Sequence, residues 1–223
     1  MKALRFLLII VCTLSLTGCA STKQADSDSS LGKAQQTLDS LYQHYSAKDS
    51  YLLRESYPFD EQHKVTYLAS EDQANTPNQF SYLWPYSGTF SAVNALFEAT
   101  HDKKYQKLLD KRVLPGLEEY FDIQRTPNAY SSYIQTAPTS DRFYDDNVWL
   151  GIDFTDIYQI TQEKRYLDKA QLIWKFIESG TDSLLGGGIY WCEQKKESKN
   201  TCSNAPGLSL IHISEPTRPR LIS

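Results

Sequence analysis

Histidine and cysteine are scarce in this chain, and it has neither cation-rich stretches nor long apolar runs. The four histidines among 223 residues, His44, His63, His101 and His212, are scattered and read as surface or turn residues. Cys192 and Cys202 have no histidine nearby. Four zinc ligands cannot be assembled from them, and no metal or other cofactor is expected. Lysine and arginine form no basic stripe and the formal net charge is −4, which argues against nucleic acid as a partner. The apolar run near the N-terminus, Phe6 to Val11, is too short to span a bilayer as a stable anchor.

That short run follows Lys2 and Arg5 and precedes Leu16-Thr17-Gly18-Cys19. The arrangement is that of a signal peptide ending in a segment that resembles the bacterial lipobox. Residues 1–19 are therefore expected to be a lipoprotein signal with Cys19 as the lipidated residue. Ala20 to Ser30 is rich in Ser, Asp, Lys and Gln and reads as a flexible tether. The expected location is the cell envelope, on the periplasmic or the outer face of the outer membrane. Cys12 leaves with the signal, so Cys192 and Cys202 remain in a compartment that permits disulfides and are expected to pair. At the other end, Leu208 to Arg218 reads LSLIHISEPTR. This resembles translated adapter DNA from transposase-based sequencing libraries. Residues 208–223 are accordingly expected to be a non-native tail, which leaves 31–207 as the native domain.

Periodicity predicts helices over Gly32 to about Leu53, Ser87 to Thr100, Lys103 to Phe121 with a kink or restart at Pro115, Asp146 to Thr161, and Lys164 to Glu178. The Asp146 to Thr161 stretch is apolar around most of its circumference and reads as buried on more than one side. Tyr57 to Tyr82 and Ile123 to Phe143 read as loops. Gly186-Gly187-Gly188-Ile189-Tyr190-Trp191 reads as a tight turn into a short strand. One echo stands out: Thr100-His101-Asp102-Lys103-Lys104-Tyr105 recurs as Thr161-Gln162-Glu163-Lys164-Arg165-Tyr166. Each copy joins an apolar helix to an amphipathic one. Such pairs fit a toroid of helical hairpins or a plain bundle.

Tyr144-Asp145-Asp146-Asn147-Val148-Trp149 carries the most chemistry. Two adjacent carboxylates sit where a Tyr-rich loop becomes a buried helix. They could cap that helix, or they could work as a catalytic pair in a cleft. Fifteen tyrosines and four tryptophans, many outside periodic stretches, supply rings that can stack on sugar faces or fill a core.

Five segments resemble, in this order, the pattern of glycoside hydrolase family 76. They are Leu83-Trp84-Pro85-Tyr86-Ser87-Gly88, the Tyr144 to Trp149 run, Lys164-Arg165-Tyr166-Leu167, Gly186 to Trp191, and Asn200-Thr201-Cys202-Ser203-Asn204-Ala205. The resemblance covers roughly Leu31 to Gly207. It implies an all-α (α/α)6 barrel, six helical hairpins around a central cleft, here represented by about its N-terminal half. It also implies retaining endo-hydrolysis of α-1,6-mannosidic bonds in mannan or related mannose glycans, with Asp145 as nucleophile and Asp146 as acid/base. Trp84, Tyr86, Tyr144 and Trp191 become the candidate sugar platforms. Half a toroid leaves apolar faces without partners, so the chain as written is not expected to be a stable, active enzyme. Two other readings fit a helical toroid: a glycan-binding lipoprotein without catalysis, and a sugar epimerase. Epimerases of this kind rely on histidine, and none lies between Ile123 and Trp191.

Overall fold

A computed structural model describes residues 28–64 and 78–211. The lipobox with Cys19, nearly all of the tether and the residues beyond 211 lie outside the described residues.

The chain folds as helical hairpins. Helix α1, Ser30–Tyr45, starts at Ser29, whose hydroxyl accepts from Gly32 N at 3.0 Å. It ends well before the expected Leu53. The chain turns back instead through Asp49, at φ 53°, and Ser46 bridges Leu53. Helix α2, Leu83–Thr100, begins one turn earlier than its periodicity suggested. Pro85 sits in that first turn, where the N–H it lacks has no intrahelical acceptor to lose. The predicted Lys103 to Phe121 helix is built in three parts: α3, Lys103–Leu108, a π-helical turn over Leu109–Val113, and α4, Leu114–Glu118. Pro115 cannot donate to the carbonyl four residues back, and the ladder widens just before it.

After α4 two short strands pair antiparallel: β1, Phe121–Asp122, where the helix was expected to end, and β2, Ala129–Tyr130, within the expected loop. Helix α5, Tyr144–Thr161, and helix α6, Lys164–Ser179, follow, and α7, Thr201–Leu210, closes the described part. Helix α5 packs on α2, α6 and α7, and is buried at Val148, Leu150, Phe154 and Ile157. Helix α6 buries one stripe: Tyr166, Ala170, Ile173, Phe176 and Ile177. Gly151 lets α7 pack closely on α5; a Cβ there would lie 2.7 Å from Leu210. The last helix thus runs past Gly207, and Leu210 is buried in the core.

The sequence echo is a structural echo. Helices α2 and α5 both end in a left-handed residue, His101 at φ 54° and Gln162 at φ 60°. The preceding threonine hydroxyl accepts from the next helix's N-cap amide each time, Asp102 N at 3.2 Å and Glu163 N at 3.3 Å. Tyr105 and Tyr166 are both buried. The two corners also touch, through Gln106 Nε2 to Glu163 Oε1 at 2.6 Å and Tyr166 OH to Asp110 Oδ1 at 2.7 Å. Among the described residues no helix is long and apolar enough to cross a membrane.

Candidate active site

The paired aspartates lie in the first turn of α5. The N-cap position belongs to Phe143, and no side chain caps it. The helix start is tied down by Asn147 instead. Its side chain accepts from Tyr130 N at 2.9 Å and donates to Tyr130 O at 2.9 Å and Phe143 O at 2.8 Å. Asn204 repeats the device on α7: it accepts from Ile189 N at 2.7 Å and donates to Ile189 O at 2.9 Å and Asn200 O at 2.8 Å. One asparagine fastens the β1–β2 hairpin to α5. The other fastens the segment after the glycine turn to α7.

That segment makes isolated bridges rather than the expected strand, Thr181 to Ile189 and Phe143 to Cys192. Tyr144 N donates to Trp191 O at 2.9 Å and Glu193 N to Arg142 O at 3.0 Å. Trp191 is thereby laid against the start of α5, with its ring 5.1 Å from that of Phe143. Arg142 locks the junction. It is fully buried, its guanidinium forks onto Glu193, Nε to Oε2 at 2.7 Å and Nη2 to Oε1, and Nη1 donates to Pro127 O at 2.8 Å. Asp122 Oδ2 stands 3.7 Å from the same Nη1.

These elements surround a cavity of about 600 Å³. Glu55, Tyr82, Trp84, Ser132, Asp145, Asp146, Trp149, Trp191 and Cys202 all line it, beside Pro85 and Phe143. The two carboxyls differ. Asp145 Oδ2 accepts from Trp191 Nε1 at 3.2 Å, and Oδ1 is buried with no N–H or O–H donor among the described residues. Burial raises the pKa of Asp145, against the pull of the Cys202 thiol, backbone amides and Trp191. Asp146 is 9% exposed. Burial first, and then the charge of Asp145, push its carboxyl well above the ordinary range. The arrangement therefore sets a hydrogen-bonded carboxyl beside a second carboxyl whose proton is held more tightly than in water. Among the described residues no group of His, Cys, Asp or Glu is placed to hold a metal.

The structure sorts the four candidate platforms. Trp84, 56% exposed, and Trp191 line the cavity. Tyr86 and Tyr144 do not. Tyr86 is buried in the core, donates its hydroxyl to Val113 O at 3.0 Å, and its pKa is raised, chiefly by burial. Tyr144 stacks on Phe176 at 4.6 Å beneath the site. Both lie on buried helix faces, which turn them inward. The expected Cys192–Cys202 bridge also gives way to two free thiols. Cys192 is buried with Sγ 3.9 Å from Gln194 Oε1, whereas Cys202, in the first turn of α7, points to Asp145. Glu55, Ser132, Trp149, Arg142 and Asn147 were not singled out as site residues from the sequence. Only Trp149 carried a signal, three residues after Asp146 and so on the same helix face.

A sequence profile described as glycosyl hydrolase family 76 matches residues 56–212. The chain belongs to glycoside hydrolase family 76. A family 76 glycoside hydrolase (mannosidase) from Bacteroides thetaiotaomicron superposes with a TM-score of 0.66 at 30% identity, covering 81% of this chain and 46% of its own. The GH76A α-1,6-mannanase of Salegentibacter sp. gives a TM-score of 0.58 at 22% identity, over 82% of this chain and 45% of its own. An inactive variant of that mannanase with two neighbouring aspartates changed to asparagine, in complex with α-1,6-mannotriose, gives 0.57 at 22% identity, with the same coverages of 82% and 45%. No curated protein matches the chain in sequence. The chain spans less than half the length of these family 76 structures, and its all-α hairpins follow their barrel over that span.

Proposed function

We propose that the full-length protein is a retaining endo-α-1,6-mannanase acting on mannan or related mannose glycans, with Asp145 as nucleophile and Asp146 as acid/base. The observation that carries the reading is the unequal pair: two adjacent carboxyls line one aromatic-walled cavity, Asp145 accepting from Trp191 Nε1 and Asp146 more deeply buried, its pKa raised by burial and by its neighbour's charge. Family membership supports a glycosidase, and the mannanase relatives support the linkage. The Salegentibacter variant, inactive after changes at two consecutive aspartates yet complexed with α-1,6-mannotriose, supports the roles.

The chemistry follows from the environments. Trp191 holds Oδ2 of Asp145 through its indole N–H. The Asp145 carboxylate then attacks the anomeric carbon. Asp146 gives its proton to the departing glycosidic oxygen as that bond breaks, and a mannosyl ester on Asp145 remains. Asp146, now a carboxylate, takes a proton from water as the water oxygen attacks the anomeric carbon and the ester bond breaks. Two displacements on one carbon keep its configuration. The family mechanism needs no cofactor.

Full-length protein should release α-1,6-linked mannooligosaccharides from mannan, with the α anomer formed first when the products are followed by proton NMR. A first-formed β anomer would overturn the retaining mechanism, and absence of release would overturn the substrate. Trp191→Phe supplies a finer check. Losing the indole N–H removes a donor that holds the Asp145 pKa down, so that pKa rises. The attacking group must be ionised, and the acidic limb of the pH–rate profile should therefore move to higher pH. At the optimum, kcat should fall by about tenfold, the worth of one hydrogen bond to a charged group. An unmoved limb would remove Trp191 from the mechanism.

A further inference from the structure

We propose that Glu55 and Ser132 form a hydroxyl-recognising subsite of the same cleft, which selects the sugar ring lying against Trp84. This rests on the mannanase reading above and goes beyond it, since neither residue belongs to the reacting pair. Both residues line the cavity that holds Asp145 and Asp146. They come from separate parts of the chain and meet at the start of α2. Tyr82 N donates to Glu55 Oε2 at 3.0 Å, and the next amide, Leu83 N, donates to Ser132 O at 2.8 Å. Two consecutive amides thus anchor Glu55 and Ser132 to the same point of the chain, next to the exposed ring of Trp84.

Ser132 is 3% exposed, and its Oγ has no hydrogen-bond partner among the described residues. A buried hydroxyl left unpaired is costly, and one that lines a binding cavity has a natural partner in a ligand. The Glu55 carboxylate can only accept, and it is anchored by a backbone amide. Sugar hydroxyls both donate and accept. One hydroxyl can donate to Glu55 while the adjacent one accepts from Ser132, with the apolar face of the ring on the indole. Tyr82 and Tyr120 are buried and Tyr133 partly buried beside this corner of the cavity: Tyr120 OH donates to Ser81 O at 2.7 Å, and the ring of Tyr133 packs 4.7 Å from that of Tyr82.

The test measures binding of α-1,6-mannotriose by titration calorimetry, in full-length protein carrying Asp145→Asn to stop turnover. Adding Glu55→Gln, which keeps an acceptor for Tyr82 N, should weaken binding by about tenfold or more. Ser132→Ala should weaken it severalfold. Monodeoxy mannotrioses should show one or two hydroxyls whose removal weakens binding in the parent and has little effect in the Glu55→Gln protein. Equal affinities of parent and both variants would overturn the subsite while leaving the mannanase reading intact. So would a deoxy series in which no single hydroxyl matters, which needs only the parent and decides the case even if a variant fails to fold. A parent that does not bind the trisaccharide would overturn both.

Discussion

Replacing Asp145 with asparagine in the full-length protein should remove nearly all hydrolysis of α-1,6-mannan, on the order of a thousandfold or more, while binding of α-1,6-mannotriose stays within a few-fold. The amide keeps the size of the carboxylate and an acceptor for Trp191 but cannot attack carbon. Asp146→Asn should act differently. It should slow substrates with poor leaving groups by about 10²–10⁴-fold and aryl mannosides with activated leaving groups far less, because their departure needs little protonation. The second variant also makes a stability prediction of definite sign. The folded-state pKa of Asp146 is raised by burial and by Asp145. In the unfolded chain the group ionises near its ordinary value of about 3.9. Stability from this carboxyl is therefore fully present below that value and is lost as pH rises toward the folded pKa. Asp146→Asn cannot ionise, so its melting temperature should exceed that of the parent at neutral pH, and the gain should shrink as pH falls toward 4. A helix-capping role predicts the opposite, a loss of about 1 kcal/mol with modest loss of rate. Melting curves and mannan hydrolysis, run on both variants across pH, separate the two. Near-normal turnover in either variant would falsify the assignment.

Arg142→Met should be the most damaging single change outside the catalytic pair. The substitution strands Glu193 and takes a donor from the Pro127 carbonyl, and Asp122 loses one of its two neighbouring guanidinium groups. Removing one partner of a buried ion pair costs about 3–5 kcal/mol. Glu193 keeps some solvent contact, with its side chain 20% exposed, so the lower end of that range is expected from denaturant unfolding. Activity should fall as well, because Arg142 ties the Trp191 segment to the chain entering α5. Arg142→Lys should recover only part of the loss, since an ammonium cannot reproduce the two-point contact with Glu193. A variant with unchanged unfolding midpoint and unchanged kcat would show that the junction is held by its backbone bonds alone.

The helices were legible where the apolar period was clean, as in α5 and α6, and where a threonine corner repeated. Three kinds of feature were not. Helix α2 was read as starting at Ser87 but begins at Leu83, with Pro85 in its first turn, where proline is tolerated. The β1–β2 hairpin has two residues per strand, too few for alternation to register. The direction of a tyrosine is not written in its identity, yet Tyr86 did carry a usable signal. It lies four residues before Phe90 and seven before Val93, on the same buried stripe, and extending the helix by one turn would have marked it as core. The aspartate pair was legible as a motif, and its two unequal environments became visible only with Trp191 and Cys202 folded against it. Cys192 and Cys202 are near in sequence but face different surroundings, a buried backbone junction and the cleft, and no spacing rule reports that. Glu55 and Ser132 had no local signal at all, because what marks them is a meeting across the start of α2.

The asparagine clasps have a consequence of another sort. Each offers one carbonyl and one amide to a single residue of an extended segment, as a neighbouring strand would, so helices α5 and α7 each carry a sheet edge one residue long. Asn147 and Asn204 hold the outline of the cleft with uncharged groups that neither titrate nor respond to ionic screening. Acid or salt can therefore change the protonation of the aspartate pair, or loosen the Arg142–Glu193 junction, while these two clasps hold. Loss of the amide nitrogen by deamidation would work the other way. The resulting carboxylate would accept from the strand amide but face two carbonyls with nothing to donate, so each clasp depends on its amide nitrogen as much as on its oxygen.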